Sequence, residues 1–131
     1  MHIKSFDHIT INLKDVEKSL WFYGELLGLE ALPSVDMGTH LLHYFQLPGG
    51  GKLELTEYYD STGTFSGKAT DKGQARHLAF EVEDVYRVER LLTQAGYPFH
   101  VPVSHIQQLG FSGGLTRDPN GFELEFVEYV R

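Results

Sequence analysis

Cysteine is absent from the 131 residues, which excludes disulfides, thiolate-bound zinc, iron–sulfur clusters and a thiol nucleophile. Positive charge is scarce: 11 Lys and Arg stand against 18 Asp and Glu, a formal net charge of −7 with neutral histidines. No basic patch or basic–aromatic run offers a nucleic-acid footprint, so no nucleic-acid partner is expected. No apolar stretch approaches the ~18 residues of a membrane-spanning helix, and Met1-His2-Ile3-Lys4 lacks a signal-peptide core. The expectation is a cytoplasmic protein with no membrane partner. There is no nucleophile elbow and no His-Glu-x-x-His helix, and Gly49-Gly50-Gly51 lacks the Lys and Ser/Thr of a phosphate loop. What is present is 41% hydrophobic and 22% charged residues, enough for one globular core, with 13% aromatics to furnish a pocket.

The chain repeats itself. His8-Ile9-Thr10-Ile11-Asn12-Leu13-Lys14-Asp15-Val16 aligns with His77-Leu78-Ala79-Phe80-Glu81-Val82-Glu83-Asp84-Val85, 69 positions later. Leu53-Glu54-Leu55-Thr56-Glu57-Tyr58 aligns with Leu124-Glu125-Phe126-Val127-Glu128-Tyr129, 71 positions later. Two copies of a unit of about 55 residues are expected, each reading strand, helix, strands. The first module covers residues 1–59, a Gly/Ser/Thr/Asp-rich linker or lid covers 60–75, and the second module covers 76–131. Asp15 suits a helix N-cap and Gly28 the C-terminal turn of that helix, which runs from Val16 to about Leu27. Pro33-Ser34 reads as a loop, Leu41–Leu47 and Lys52–Tyr58 as strands. In the second copy, a helix runs from Val85 to about Ala95, Asp118-Pro119-Asn120-Gly121 is a turn, and 122–130 is the closing strand.

Period-two alternation assigns faces. Ile9, Ile11 and Leu13 go under the first helix, so His8 points to the opposite face. Leu53 and Leu55 go inward, so Glu54 goes the other way. The same logic turns His77 and Glu125 away from the second helix. Two His and two Glu thus occupy equivalent positions on helix-free faces. If a pseudo-twofold axis brings those faces together, they form a trough in which the four converge. Neutral imidazoles and carboxylates are a ligand set for one divalent ion: Ni, Zn, Co, Mn or Fe. A cation also relieves the repulsion between two carboxylates in a half-buried trough. Against this stands the plain reading that polar residues on a half-buried strand are simply wet.

Other residues read more blandly. His40 and His43 lie in opposite phase, one toward the trough and one outside. His100 and His105 sit in a loop around Pro102, and His2 is terminal. Trp21-Phe22-Tyr23 reads as helix core. Gly110-Phe111-Ser112-Gly113-Gly114 reads as a loop.

Asp7-His8-Ile9, Trp21-Phe22-Tyr23, Leu26-Leu27-Gly28-Leu29, Leu53-Glu54-Leu55-Thr56, Arg76-His77-Leu78-Ala79-Phe80 and Asp118–Glu125 resemble, in order and spacing, the motifs of the vicinal oxygen chelate superfamily. The pattern is most similar to its glyoxalase I branch. The resemblance implies an α+β fold of two tandem βαβββ modules forming a curved mixed sheet around a metal pocket, and a homodimer with sites across or between modules. It implies that His8, Glu54, His77 and Glu125 bind the ion. It also implies that Glu125, with Glu54 as counterpart, moves a proton between adjacent carbons of a hemithioacetal, whose enediolate the metal stabilises. Glutathione-using members carry Arg, Asn and Arg where this chain has Asn12, Tyr58 and Gly73, leaving Arg76 and Lys72 as substitutes. A small-molecule substrate other than a glutathione adduct is therefore expected, contacted by Asn12, Tyr44, Tyr58 and Phe111.

Three alternatives stand beside this reading. One is an extradiol-type dioxygenase using His8, His77 and Glu125, against which a fourth ligand argues because it closes a coordination position. The second is an acyl-thioester epimerase. The third is a metal-free drug-binding protein of the bleomycin-resistance kind, its trough lined by Tyr44, Tyr58, Phe65 and Phe111.

Overall fold

The structure, a computed structural model, describes residues 1–60, 72–73 and 75–129. Most of the expected 60–75 linker, together with Phe65 and Val130, lies outside the described residues. The chain divides into two compact units, Met1–Thr64 and Phe65–Arg131.

The first unit runs β1 (His8–Asn12), α1 (Val16–Trp21), β2 (Glu30–Asp36), β3 (His40–Gln46) and β4 (Lys52–Tyr58). The second runs β5 (His77–Glu81), α2 (Val85–Gln94), β6 (Val101–Ile106), β7 (Phe111–Arg117) and β8 (Glu123–Tyr129). Each carries a four-stranded mixed sheet of the same order, β1-β4-β3-β2 and β5-β8-β7-β6, with β1–β4 and β5–β8 parallel and the other pairs antiparallel. This is an α+β fold of two βαβββ modules.

Both helices start where an aspartate caps them. Asp15 accepts from the Lys18 amide and Asp84 from the Arg87 amide, each at 3.0 Å. Past Trp21 the first helix loosens into a π-turn, Phe22–Leu26, in which the Leu27 amide reaches the Phe22 carbonyl at 2.8 Å. Gly28, at φ +73°, then reverses the chain.

The π-turn presents Phe22 and Tyr23, both fully buried, with Tyr23 against Phe45 of β3. Trp21 does not join them: it is 47% exposed, because only part of a short helix can face the sheet. In the second unit α2 packs on β6, β7 and β8, and Phe126 gathers Phe80 and Phe99.

Three expected loops are strands. Pro33-Ser34 lies inside β2, and Pro102 with His105 inside β6. Both are edge strands, and the register shifts between Leu32 and Val35 and between Val101 and Ser104. A proline lacking an amide is tolerated there because an edge strand needs no outer partner and a bulge absorbs the break. The glycine-rich segment from Phe111 is β7, buried throughout except Arg117.

The expected turns are as read. Gly49, Gly50 and Gly51 all have positive φ. Asp118 accepts from the Asn120 and Phe122 amides at 2.9 and 2.8 Å.

Candidate active site

Within the first unit, β1, β4 and β3 place His8, Thr10 and Asn12, then Glu54 and Tyr58, then His40 and Tyr44 on the sheet face opposite Ile11, Leu53, Leu55 and Phe45. Glu54 is the centre of a network. Thr10 donates to its Oε1 at 3.0 Å and the Tyr44 hydroxyl donates to its Oε2 at 2.6 Å. His8 Nε2 lies 3.7 Å from the same Oε2. The other imidazole nitrogen, Nδ1, is 2.6 Å from Asp7 Oδ2.

That hydrogen bond and the Lys52 charge hold the Asp7 carboxyl below its ordinary range. The hydrogen bond to Glu54, with burial, pushes the Tyr44 phenol up to about 12, so it stays a donor. Tyr58, 47% exposed, lies beside His40 with ring centroids 5.0 Å apart. Asn12 is exposed at the end of β1. His43 is buried on the opposite face, not left outside, with Glu57 at 3.3 Å and Ser34 at 3.4 Å.

Within the second unit, His77 of β5 and Glu125 of β8 repeat the pair, Nε2 to Oε1 at 3.4 Å. The residues flanking Glu125 differ. Ala79 replaces Thr10 and Leu115 replaces Tyr44 at the equivalent register, so among the described residues Glu125 accepts no hydrogen bond.

Glu123, two residues before Glu125 and on the same face, is a group that sequence reasoning missed. It is 8% exposed; its Oε2 accepts from His100 Nε2 at 2.9 Å, and Arg76 Nε stands 3.2 Å from its Oε1. Burial pushes this carboxyl up, but the His100 hydrogen bond and the Arg76 charge outweigh it and leave it lowered. His77 Nδ1 faces Glu123 Oε1 at 3.5 Å, just long for a hydrogen bond, and both atoms are buried with no hydrogen-bond partner among the described residues. His100, read as a bland loop residue, is thus part of this cluster. The signal was available, since Glu123 shares the two-residue period of Glu125. Phe111 lies on the same sheet face, buried edge-on against Tyr129 at 5.5 Å.

The donor chemistry fits a divalent ion pair by pair. Two ligands of a tetrahedral zinc, each about 2.1 Å from it, lie about 3.4 Å apart, close to the separations of His8–Glu54 and His77–Glu125. Among the described residues, no group of three or more His, Asp or Glu is assembled to hold a metal. No described helix is long and apolar enough to cross a membrane.

A βαβββ repeat with a His–Glu pair on each sheet defines a class, and the comparisons agree. Residues 5–126 match the Glyoxalase/Bleomycin resistance protein/Dioxygenase superfamily, and the chain belongs to it. A lactoylglutathione lyase of Neisseria meningitidis serogroup A is 28% identical over 129 residues, 92% of this chain and 88% of that protein. Among solved structures, a glyoxalase family protein from Enterococcus faecalis superposes with a TM-score of 0.79 at 27% identity, covering 98% of this chain and 100% of that one. The trypanothione-dependent glyoxalase I of Leishmania major superposes with a TM-score of 0.74 at 25% identity, covering 96% and 87%.

Proposed function

We propose that this protein is a metal-dependent, glyoxalase I-like lyase. Its substrate would be a hemithioacetal formed from a 2-oxoaldehyde and a thiol other than glutathione. The observation that supports it most is the His Nε2–Glu carboxylate pair, repeated at equivalent register in both units. His8, Glu54, His77 and Glu125 would together hold one divalent ion. When bound, that ion supplies Lewis-acid stabilisation of negative charge on two adjacent oxygens.

The chain's own residues divide the remaining work. Glu54, with both oxygens engaged by Thr10 and Tyr44, is fixed. Glu125 is free of such donors among the described residues and takes the proton from the hydroxyl-bearing carbon. It returns that proton to the neighbouring carbon. The first carbon becomes the thioester carbonyl and the second bears the hydroxyl, so atoms balance as an isomerisation. Such positioned acid–base groups contribute typically ~10²–10⁴-fold.

Asn12, Tyr44, Tyr58 and Phe111 are proposed substrate contacts. The absence of a cation at positions 12 and 73 leaves the two carboxylates of glutathione without their grip. A family relative described as trypanothione-dependent supports variation in the thiol. The reading carries with it a module–linker–module layout of 1–59, 60–75 and 76–131, a cytoplasmic setting and a homodimer.

The test combines metal analysis of protein purified without chelator with a methylglyoxal assay across several thiols. Bound divalent metal is expected, lost in Glu54→Gln with the fold retained. Turnover is expected to be slower with glutathione than with at least one other thiol. Metal-free protein that binds aromatic drugs would favour the sequestering alternative, for which exposed Tyr58 beside half-buried His40 is the natural platform. Oxygen uptake with catechols would favour the dioxygenase.

A further inference from the structure

We propose that Asp7 and Glu123 are the positioning residues of the two imidazoles. Each faces Nδ1 of its histidine, so that Nε2 is turned to the Glu54 or Glu125 carboxylate. The inference deepens the proposed function, and only its consequence for metal affinity rests on that reading.

The argument begins with an exchange of charge between the two modules. A carboxylate can reach Nδ1 of such a histidine from two places: the residue preceding it, or the residue paired with it on the neighbouring parallel strand. In the first unit these places hold Asp7 and Lys52; in the second they hold Arg76 and Glu123. Each module thus has one acid and one base at the two positions, with the signs reversed. The outcome beside the imidazole is the same. Asp7 Oδ2 lies 2.6 Å from His8 Nδ1, and Glu123 Oε1 lies 3.5 Å from His77 Nδ1.

The cations complete each arrangement. The Lys52 amide donates to the Asp7 carbonyl at 2.8 Å, and its charge acts on the Asp7 carboxylate. Arg76 stands against Glu123 at 3.2 Å, and His100 fills the second Glu123 oxygen. In the second unit the buried His77 Nδ1 has no hydrogen-bond partner among the described residues, and Glu123 Oε1, which also faces Arg76, is the acceptor beside it at 3.5 Å. A carboxylate accepts a proton and cannot donate one. At His8 the 2.6 Å contact to Asp7, against 3.7 Å from Nε2 to Glu54, therefore selects the Nδ1–H tautomer. At His77 carboxylates stand 3.5 Å from Nδ1 and 3.4 Å from Nε2, so Glu123 draws the proton toward Nδ1 against the pull of Glu125. A carboxylate behind a ligating imidazole fixes its orientation and raises its basicity.

The experiment uses the full chain, with Glu123→Leu, Glu123→Lys, Asp7→Ala and the exchange Arg76→Asp/Glu123→Lys, which copies the first module's arrangement into the second. Two-bond ¹H–¹⁵N NMR of metal-free protein, at a pH where the imidazoles are neutral, is expected to show His8 as the Nδ1–H tautomer and His77 as a mixture of the two, which loses its Nδ1–H share when Glu123 is removed. Glu123→Leu should shift His77 alone, and Asp7→Ala should shift His8 alone. Zn²⁺ affinity, read by chelator competition, should fall ~10–100-fold in each. Arg76→Asp/Glu123→Lys should recover the His77 tautomer and most of the affinity lost in Glu123→Lys.

Unchanged tautomers in Glu123→Leu and Asp7→Ala would overturn the proposal, as would an exchange variant no better than Glu123→Lys. Asp7 is exposed, so its variant keeps the question decidable even if changes at Glu123 disturb folding. A wild-type protein that takes up no Zn²⁺ would sink the metal reading, and the tautomers would then decide this proposal alone.

Discussion

The two copies of the His–Glu pair diverge at two side chains, and those two decide what each glutamate can do. Thr10 and Tyr44 hold both oxygens of Glu54, whereas Ala79 and Leu115 offer Glu125 nothing. A carboxylate with two donors keeps its orientation; one flanked by side chains without donors can turn. Removing the shorter of the two hydrogen bonds should therefore loosen the ligand without unfolding the protein. Tyr44→Phe is expected to weaken Zn²⁺ binding by about tenfold, while costing only ~1–2 kcal/mol of stability in a denaturant titration. An affinity equal to wild type would show that Glu54 needs no such anchor. Alternation along β1, β4, β5 and β8 was enough to assign Glu54, Glu125 and the two histidines to their sheet faces, because period two gives a face to every residue. It could not reveal that Tyr44 touches Glu54, since that depends on the β3–β4 register. Nor did it single out Glu123, whose importance comes from Arg76 and His100 arriving from other parts of the second unit.

Elements were legible where the local chemistry is decisive. Asp15 caps its helix, Gly28 follows it, and Lys52–Tyr58 was bounded correctly by the glycine turn before it. Reading failed where tertiary packing overrides propensity. The prolines of β2 and β6 and the glycines of β7 all look like loop residues, yet each is used in a strand. In β7 the reason is space. A Cβ at Gly114 would lie 2.8 Å from the Phe99 ring and 2.8 Å from the Val101 carbonyl oxygen, and one at Gly113 would lie 3.2 Å from the Phe126 carbonyl oxygen. The glycines let edge strand β6 and the Phe99 ring close onto the sheet. Gly114→Ala should thus destabilise the protein by about 1–3 kcal/mol as an overpacking change, since the Val101 backbone cannot move aside cheaply. Thermal unfolding would check this: Gly114 has no positive φ, so a loss would come from the crowded Cβ, and a Gly114→Ala variant as stable as wild type would mean that close packing is not what β7 requires.

At the scale of the molecule, the chain carries the same His–Glu pair twice, and one such pair alone would supply too few ligands for a firmly held ion. If the proposed homodimer builds its sites across the two copies, each site combines the first module of one copy with the second module of the other, and symmetry then makes two equal sites. That arrangement has a consequence no single-chain site shares. Take Glu54→Gln and Glu125→Gln, each without a complete set of four ligands. In a mixed dimer one site collects both substitutions, while the other collects none and is fully wild type. If the copies exchange freely, half of the dimers are mixed and half of their sites are intact. Mixing equal amounts of two inactive variants should therefore restore about a quarter of the wild-type metal content and activity. The recovery should grow with the time allowed for subunit exchange and disappear if exchange is blocked by crosslinking before mixing. No recovery under conditions where mass spectrometry detects mixed dimers would place all four ligands within one chain and leave the dimer without a part in the chemistry.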